Sequence, residues 1–475
     1  MKTINRIIIA AAILAPVAVS AQMQQPPGPG PLRPYVFPKI EEFSLDNGMK
    51  VVLVEKHTLP IIASRIIIDA GSLREPASKA GLANVAASLL SEGTATMSGS
   101  EIARRMDNLG AQFGTSGAFS AAFVDLTALK NVYGDALAIA AKTIIEPSFP
   151  ENEFNRAKNE AIAGYEQSHA RTAGLASDAF FAAAFDSSAP FSRSATGTRA
   201  TLSALTRNDV VNWAKTMYAP ATTTVLMVGD ITEPEARAVL TKAFGGWNVP
   251  APTLAPVANP INPAKGVRVI LVDRPASVQS TVIIGRGGFN ATDPDYIPLL
   301  AVNHVLGGAV SSRLNTNLRE KHGFTYGAFS SINYRKGGGA FSLSTEVRTN
   351  ATDSAIVEAL KEYRRIVNEP VPEQELKGYV NNLVSGFPNA VQTVQGLESR
   401  LQNLIIWGLP IDFYATYRER LAAVTPSDVA RAAADLDPND VVVAVAGDLS
   451  KIEAPIRALN LGTVEVWDPS GKRVR

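Results

Sequence analysis

The sequence predicts two copies of one α+β domain, each a mainly antiparallel sheet with helices packed on one face, joined by a proline-rich linker. Three observations carry this. Val51-Val52-Leu53-Val54-Glu55 returns 218 residues later as Val269-Ile270-Leu271-Val272-Asp273. Leu205-Thr206 with Asp209-Val210 returns as Val424-Thr425 with Asp428-Val429, and Val228-Gly229-Asp230 as Ala446-Gly447-Asp448, in the same order and at nearly the same offset. A period this long is too great for a solenoid or propeller and marks duplication of a whole domain. Finally, strand-like runs open each copy, helical patterns fill its middle and a strand-like run lies near its end, the order of an α+β fold.

The elements follow in chain order. Residues 1–21 carry Lys2 and Arg6, an apolar core from Ile7 to Ala15 and the small-residue ending Val19-Ser20-Ala21, which reads as a signal peptide cleaved after Ala21. The apolar core is too short for a bilayer span, which needs about 20 residues, and no later stretch is long and uncharged enough. The expectation is an exported protein, periplasmic if the source is a Gram-negative bacterium. Residues 22–39 hold six prolines and form an extended arm.

The first domain is expected over 40–247. Met49–Glu55, Ile61–Asp69, Ala121–Leu129 and Thr222–Val228 are β-branched or apolar runs bounded by turn residues, hence strands. Gly81–Leu90, Val132–Ile145, Glu151–His169, Thr172–Phe185, Asp209–Met217 and Pro234–Phe244 have helical spacing or composition. Residues 248–266 carry five prolines and form the linker. The second domain is expected over 267–465. Within it a turn at Gly307-Gly308 precedes a helix capped by Ser311, with Leu314 and Leu318 on its buried stripe, a stop at Gly323 and extended chain through Phe324-Thr325-Tyr326. Gly307-Gly308 lacks the Walker lysine and is no phosphate loop. Gly337-Gly338-Gly339 lies between strand-like Ser331–Tyr334 and Ala340–Ser344, so a hairpin turn is expected rather than a mobile substrate loop.

Composition narrows the chemistry. The 475 residues hold 45 Lys and Arg, 44 Asp and Glu, four His and no Cys. No disulfide framework, thiolate metal site or cysteine nucleophile is possible. Near-zero net charge gives no nucleic-acid footprint. With 46% hydrophobic and 19% charged residues the chain can bury a large core. His57, His169, His304 and His322 form no metal-spaced pair.

Leu45-Asp46-Asn47-Gly48, a strand, Asp69-Ala70-Gly71-Ser72, then Gly81-Leu82-Ala83 opening a helix that closes at Glu92-Gly93-Thr94 resembles the N-terminal domain of the pitrilysin and mitochondrial-processing-peptidase family. These are the inverted zinc peptidases, whose helix carries His-x-x-Glu-His. The resemblance covers nearly all of the mature chain. It places the histidine positions on Asn84 and Ser88, the glutamate position on Ala87 and the third metal ligand at or near Gly164. An amide, a hydroxyl, a methyl group and a hydrogen atom cannot replace two imidazoles and two carboxylates at zinc. Glu160 and Glu166 share a helix with Gly164 but have no first ligands to join, so they are expected to be solvated helix charges. No zinc is expected in this chain.

The resemblance also gives roles to the second copy. There the family supplies an arginine and a tyrosine, seven apart, that face the zinc site across a cavity and hold the substrate backbone; Arg319 and Tyr326 fall on those positions. A guanidinium and a phenol can donate to a peptide carbonyl or to the oxyanion formed from it. Sequence physics alone would make Arg319 a helix cap and Tyr326 a half-buried strand residue. The implied function is the noncatalytic, substrate-binding subunit of a heterodimeric zinc metallopeptidase, with zinc in a homologous partner subunit and peptides as substrates. The alternative is a noncatalytic scaffold or peptide-binding protein of the same fold. A hydrolase using Ser88 or Ser311 has neither a positioned base nor a nucleophile elbow behind it.

Overall fold

In a computed structural model, which describes residues 35–262 and 264–475, the duplicated pattern becomes two six-stranded mixed sheets. The expected signal peptide and residues 22–34 of the expected arm lie outside the described residues. The first sheet comprises β1 (Glu41–Ser44), β2 (Lys50–Glu55), β3 (Ile61–Ile68), β4 (Gln112–Gly117), β5 (Ala122–Leu129) and β6 (Thr223–Gly229), in the order β1-β2-β6-β3-β5-β4. The second comprises β7 (Arg268–Asp273), β8 (Gln279–Phe289), β9 (Thr325–Arg335), β10 (Gly338–Arg348), β11 (Val442–Gly447) and β12 (Thr463–Trp467), in the order β12-β7-β11-β8-β10-β9.

The repeat is visible in the pairing. β2 runs parallel to β6 as β7 runs parallel to β11, and the strands that follow in each sheet, β3-β5-β4 and β8-β10-β9, all pair antiparallel. Only the outer edge differs. Chain preceding β2 supplies the antiparallel edge strand β1 in the first copy, whereas chain following β11 supplies the parallel edge strand β12 in the second.

Val51 to Val54 are all buried, the run of a strand covered on both faces. Each domain's own helices cover one face, as expected. The other face is covered by a helix of the opposite domain. Helix Thr172–Ala184 packs on β8 and β11, where Leu175, Ala179 and Ala183 meet Ile270, Ile283 and Ala444. Helix Val394–Trp407 packs on β3 and β6, where Leu397, Leu401 and Leu404 join the cluster of Val52, Ile67 and Leu226. The small residues of Thr172–Ala184 let a helix lie close to a sheet. Exchanging one helix each welds the two domains together.

The hairpin expected at the glycine triplet is present: Arg335 pairs with Gly338 around a turn at Lys336-Gly337, with Gly337 at φ +80°. Its tip docks on the first domain through Lys336, whose Nζ donates to Asp69 Oδ2 at 2.7 Å. Two local expectations are corrected. Gly307-Gly308 is not a simple turn but ends a π-helical stretch, His304–Gly308, that continues helix Tyr296–Asn303. A Cβ on Gly307 would stand 2.3 Å from Ser330 N, so glycine is required where this turn abuts β9. Nor does the Ser311 hydroxyl cap a helix; its carbonyl instead accepts from the Tyr379 hydroxyl at 2.6 Å. The following turn, Asn315–Lys321, is again π-helical.

Candidate functional site

The helix that carries Asn84, Ala87 and Ser88, on which the resemblance places metal-site residues, is short, Leu82–Ser88. Its first turn is held by Glu75, whose two carboxylate oxygens accept from the Gly81 and Ala83 amides, each at 2.8 Å. Burial pushes the Glu75 carboxyl up to about 7, against the lowering effect of those amides. The residues on the helix are fitted to this fold rather than to a metal. Asn84 is half-buried and its amide donates to Ala195 O at 2.7 Å, while its Oδ1 is buried without a partner. Ala87 is completely buried, and Ser88 donates to Val85 O at 3.0 Å.

Gly164 lies exposed on helix Glu151–His169, which packs against Leu82–Ser88, so the four positions do fall on neighbouring helices. Glu160 and Glu166 are committed to Arg156 and Arg199, both at 2.9 Å. Among the described residues no group of three or more His, Cys, Asp or Glu could hold a metal ion. A zinc ion does not fit this donor set: the lone unpaired donor atom at these positions is a neutral amide oxygen.

Arg319 and Tyr326 are presented differently. Arg319 lies in the last turn of the π-helical segment, half-exposed, with its Nε 3.3 Å from Glu320 Oε1. The helix ends through a π-type bond from His322 N to Asn317 O, and Gly323 then takes the left-handed φ of +61°. The register between β9 and β10 shifts between Thr345 and Val347, so Tyr326 and Gly327 stand opposite Glu346 alone. This is a β-bulge, a device that re-aims a side chain. The Thr325 hydroxyl bonds Gly327 O at 2.9 Å and Thr345 donates to the same oxygen at 3.0 Å, fixing the bulge. Tyr326 consequently projects into solvent at 92% exposure, which overturns the half-buried strand residue that sequence physics alone suggests.

The chain just before Arg319 makes polar contacts that sequence reasoning did not find. Buried Arg313 makes a bidentate pair with Glu375 at 2.8 Å for both bonds. Buried Asn317 donates to Glu358 at 2.9 Å and to Glu362 at 2.8 Å. Arg313 stands two residues after Ser311 in the same motif, but its partner is 62 residues away and no local pattern marks it.

Residues 50–197 match the family described as insulinase (peptidase family M16), and residues 204–383 match the peptidase M16 inactive domain. An uncharacterised zinc protease, YmxG, of Bacillus subtilis (strain 168) is 24% identical over 296 residues, covering 61% of this chain and 69% of its own length. The non-peptidase homolog YmxG of Helicobacter pylori is 21% identical, covering 80% of this chain and 87% of its own. The chain spans 57% to 69% of the length of the first three curated relatives. A crystal structure of a peptidase M16 inactive domain from Pseudomonas fluorescens superposes with a TM-score of 0.80 at 24% identity, covering 86% of this chain and 98% of that one, and so shares the fold.

Proposed function

The chain belongs to the M16 metallopeptidase family, and from that premise we propose that it is the noncatalytic, substrate-binding subunit of a two-chain zinc peptidase, exported by its signal peptide. The observation that carries the reading is an asymmetry. Asn84, Ala87 and Ser88 are built into packing and local hydrogen bonds and Gly164 offers no side chain at all, whereas Arg319 and Tyr326 are held out by a π-helical turn and a β-bulge.

A homologous partner subunit carries the zinc and the His-x-x-Glu-His helix. Four domains then enclose a chamber that admits peptides. Within it the Arg319 guanidinium and the Tyr326 hydroxyl donate to the substrate's carbonyl oxygen, holding the chain in place and offsetting charge as it grows on that oxygen. For Arg319 this requires release from Glu320, an exposed pair that costs little to break.

The test is reconstitution with the partner chain, followed by peptide cleavage with Arg319→Ala and Tyr326→Phe. A fall of roughly 10² or more in turnover is expected for a missing oxyanion donor. Unchanged turnover in both would sink the assignment. Copurification from the native source should also give zinc at about one per pair, found only with the second chain present. A second reading, a scaffold or peptide-binding protein, is favoured by the likeness to the non-peptidase homolog of H. pylori; it requires self-association and no zinc-bearing partner.

A further inference from the structure

A cavity of about 260 Å³ lies at the seam of the two domains, on the flank of helix Glu151–His169. It is smaller than the roughly 300 to 1,000 Å³ of drug-sized pockets and suits a small molecule. Its apolar wall is formed by Leu175, Ala179, Ala182 and Val272, and the turn 468–471 near the C-terminus closes one side.

The charges around it are unequal in how well they are satisfied. His169 Nδ1 lies 3.0 Å from Tyr165 O, an oxygen that can only accept, so Nδ1 carries a proton. Its Nε2 lies 3.2 Å from Asp178 Oδ2, so the imidazole and that carboxylate face each other. Asp468 Oδ1 accepts from Ser470 N, the Ser470 hydroxyl and Lys472 N within its own turn. Glu75, the carboxylate whose field Arg193 feels, has both oxygens occupied by helix amides. Glu166 is paired with Arg199.

Arg193 is the exception. It lines the cavity half-buried, and its guanidinium has no hydrogen bond and no ion pair among the described residues. A half-desolvated guanidinium with five unused donors is costly unless something fills it. The hydroxyls nearby do not compete: Ser192 donates to Ala189 O and Thr201 to Thr198 O.

We infer that this cavity is a binding site for a small aliphatic carboxylate, its carboxylate seated on the Arg193 guanidinium and its tail on the wall of Leu175, Ala179, Ala182 and Val272. Planar bidentate pairing is what a guanidinium offers a carboxylate. The apolar wall favours this over phosphate, which has no surface to place there. The site uses neither Arg319 nor Tyr326, and so stands or falls separately from the proposed function.

Calorimetric titration and thermal shift with acetate, butyrate and inorganic phosphate on the full chain test it. Saturable binding is expected with a Kd of millimolar order, tightening about fourfold per added methylene. Arg193→Met should weaken butyrate binding at least tenfold, and Arg104→Met, an exposed control, should not. If Arg193→Met does not fold, Ala77→Phe, which plugs the mouth from an exposed position, decides the matter by abolishing binding. No saturable binding of butyrate, binding unchanged by Arg193→Met or by the plug, or phosphate binding more tightly than butyrate would each overturn the inference.

Discussion

Arg65 of β3 and Glu398 of helix Val394–Trp407 face each other across the domain seam, Arg65 Nη2 lying 4.0 Å from Glu398 Oε2. This contact exists because the two domains exchange helices. Arg65 spends its shorter bonds on Asp125 and Gln402, which leaves Glu398 buried with Oε1 unpartnered. Burial therefore dominates over the arginine's attraction and pushes the Glu398 carboxyl up to about 7.

A pH dependence follows. A carboxyl whose pKa is raised in the folded state binds more protons there than in the unfolded chain, so its stabilising contribution is complete below the unfolded value near 4.5 and is lost as pH rises through about 7. Urea unfolding should show stability falling between pH 5 and 8, by at most about 3 kcal/mol from this group. Glu398→Gln should flatten the slope, leaving the share due to Glu75, which is raised in the same direction. An unchanged slope in the variant would remove Glu398 from the account.

Arg335, at the tip of the β9–β10 hairpin, sits over the rings of Phe119, Phe181 and Phe191 at 4.6, 5.1 and 4.7 Å, with no carboxylate beside it. Desolvation lowers its pKa to about 10. Cation–π attraction of about 0.5 to 2 kcal/mol here opposes the cost of taking a charge out of water. Arg335→Met keeps the apolar stem and removes that cost, so its unfolding free energy should differ from wild type by less than about 1 kcal/mol. Phe191→Ala, at a fully buried ring, should cost about 3 to 5 kcal/mol. A larger loss from Arg335→Met than from Phe191→Ala would show the charge itself to be the pin.

The duplication and most central strands were legible because repeated apolar runs such as Val51–Val54 and Val269–Val272 are strong local signals. β4 was not, since Gly114 and Gly117 dilute its strand character. The helix exchange left no local mark either: periodicity shows that Thr172–Ala184 is apolar, not which sheet it covers. At the site, only the resemblance points to Asn84, Ala87, Ser88 and Gly164, since none of the four has a side chain whose chemistry marks a metal centre. The bulge that exposes Tyr326 arises from β10's register, which a reading of β9 alone cannot contain.

Because Arg319 and Tyr326 are exposed, their removal should leave the isolated chain intact. Arg319→Ala and Tyr326→Phe should each change stability by less than about 0.5 kcal/mol. Thermal melts of the single chain check this, and a change of several degrees would mean that the two residues hold the fold, so that any lost cleavage could not be assigned to substrate contact.

The positions that the resemblance assigns to the metal site should accept the family's residues unequally. A Cβ at Gly164 meets nothing within 4 Å, so Gly164→Glu should be close to neutral and gain helix propensity over glycine. Ala87 is fully enclosed by the first-domain core, and Ala87→Glu would bury a carboxylate among apolar neighbours, a change expected to cost about 3 kcal/mol or more. Asn84→His must also give up the bond to Ala195 O. Installing Asn84→His, Ser88→His and Gly164→Glu without Ala87→Glu should therefore give a folded chain with measurable zinc affinity and no peptide cleavage, since the position that activates water in the family remains a methyl group. Metal titration with melting curves on each variant separates the steps; an Ala87→Glu chain as stable as wild type would mean that this helix has room for the family's glutamate.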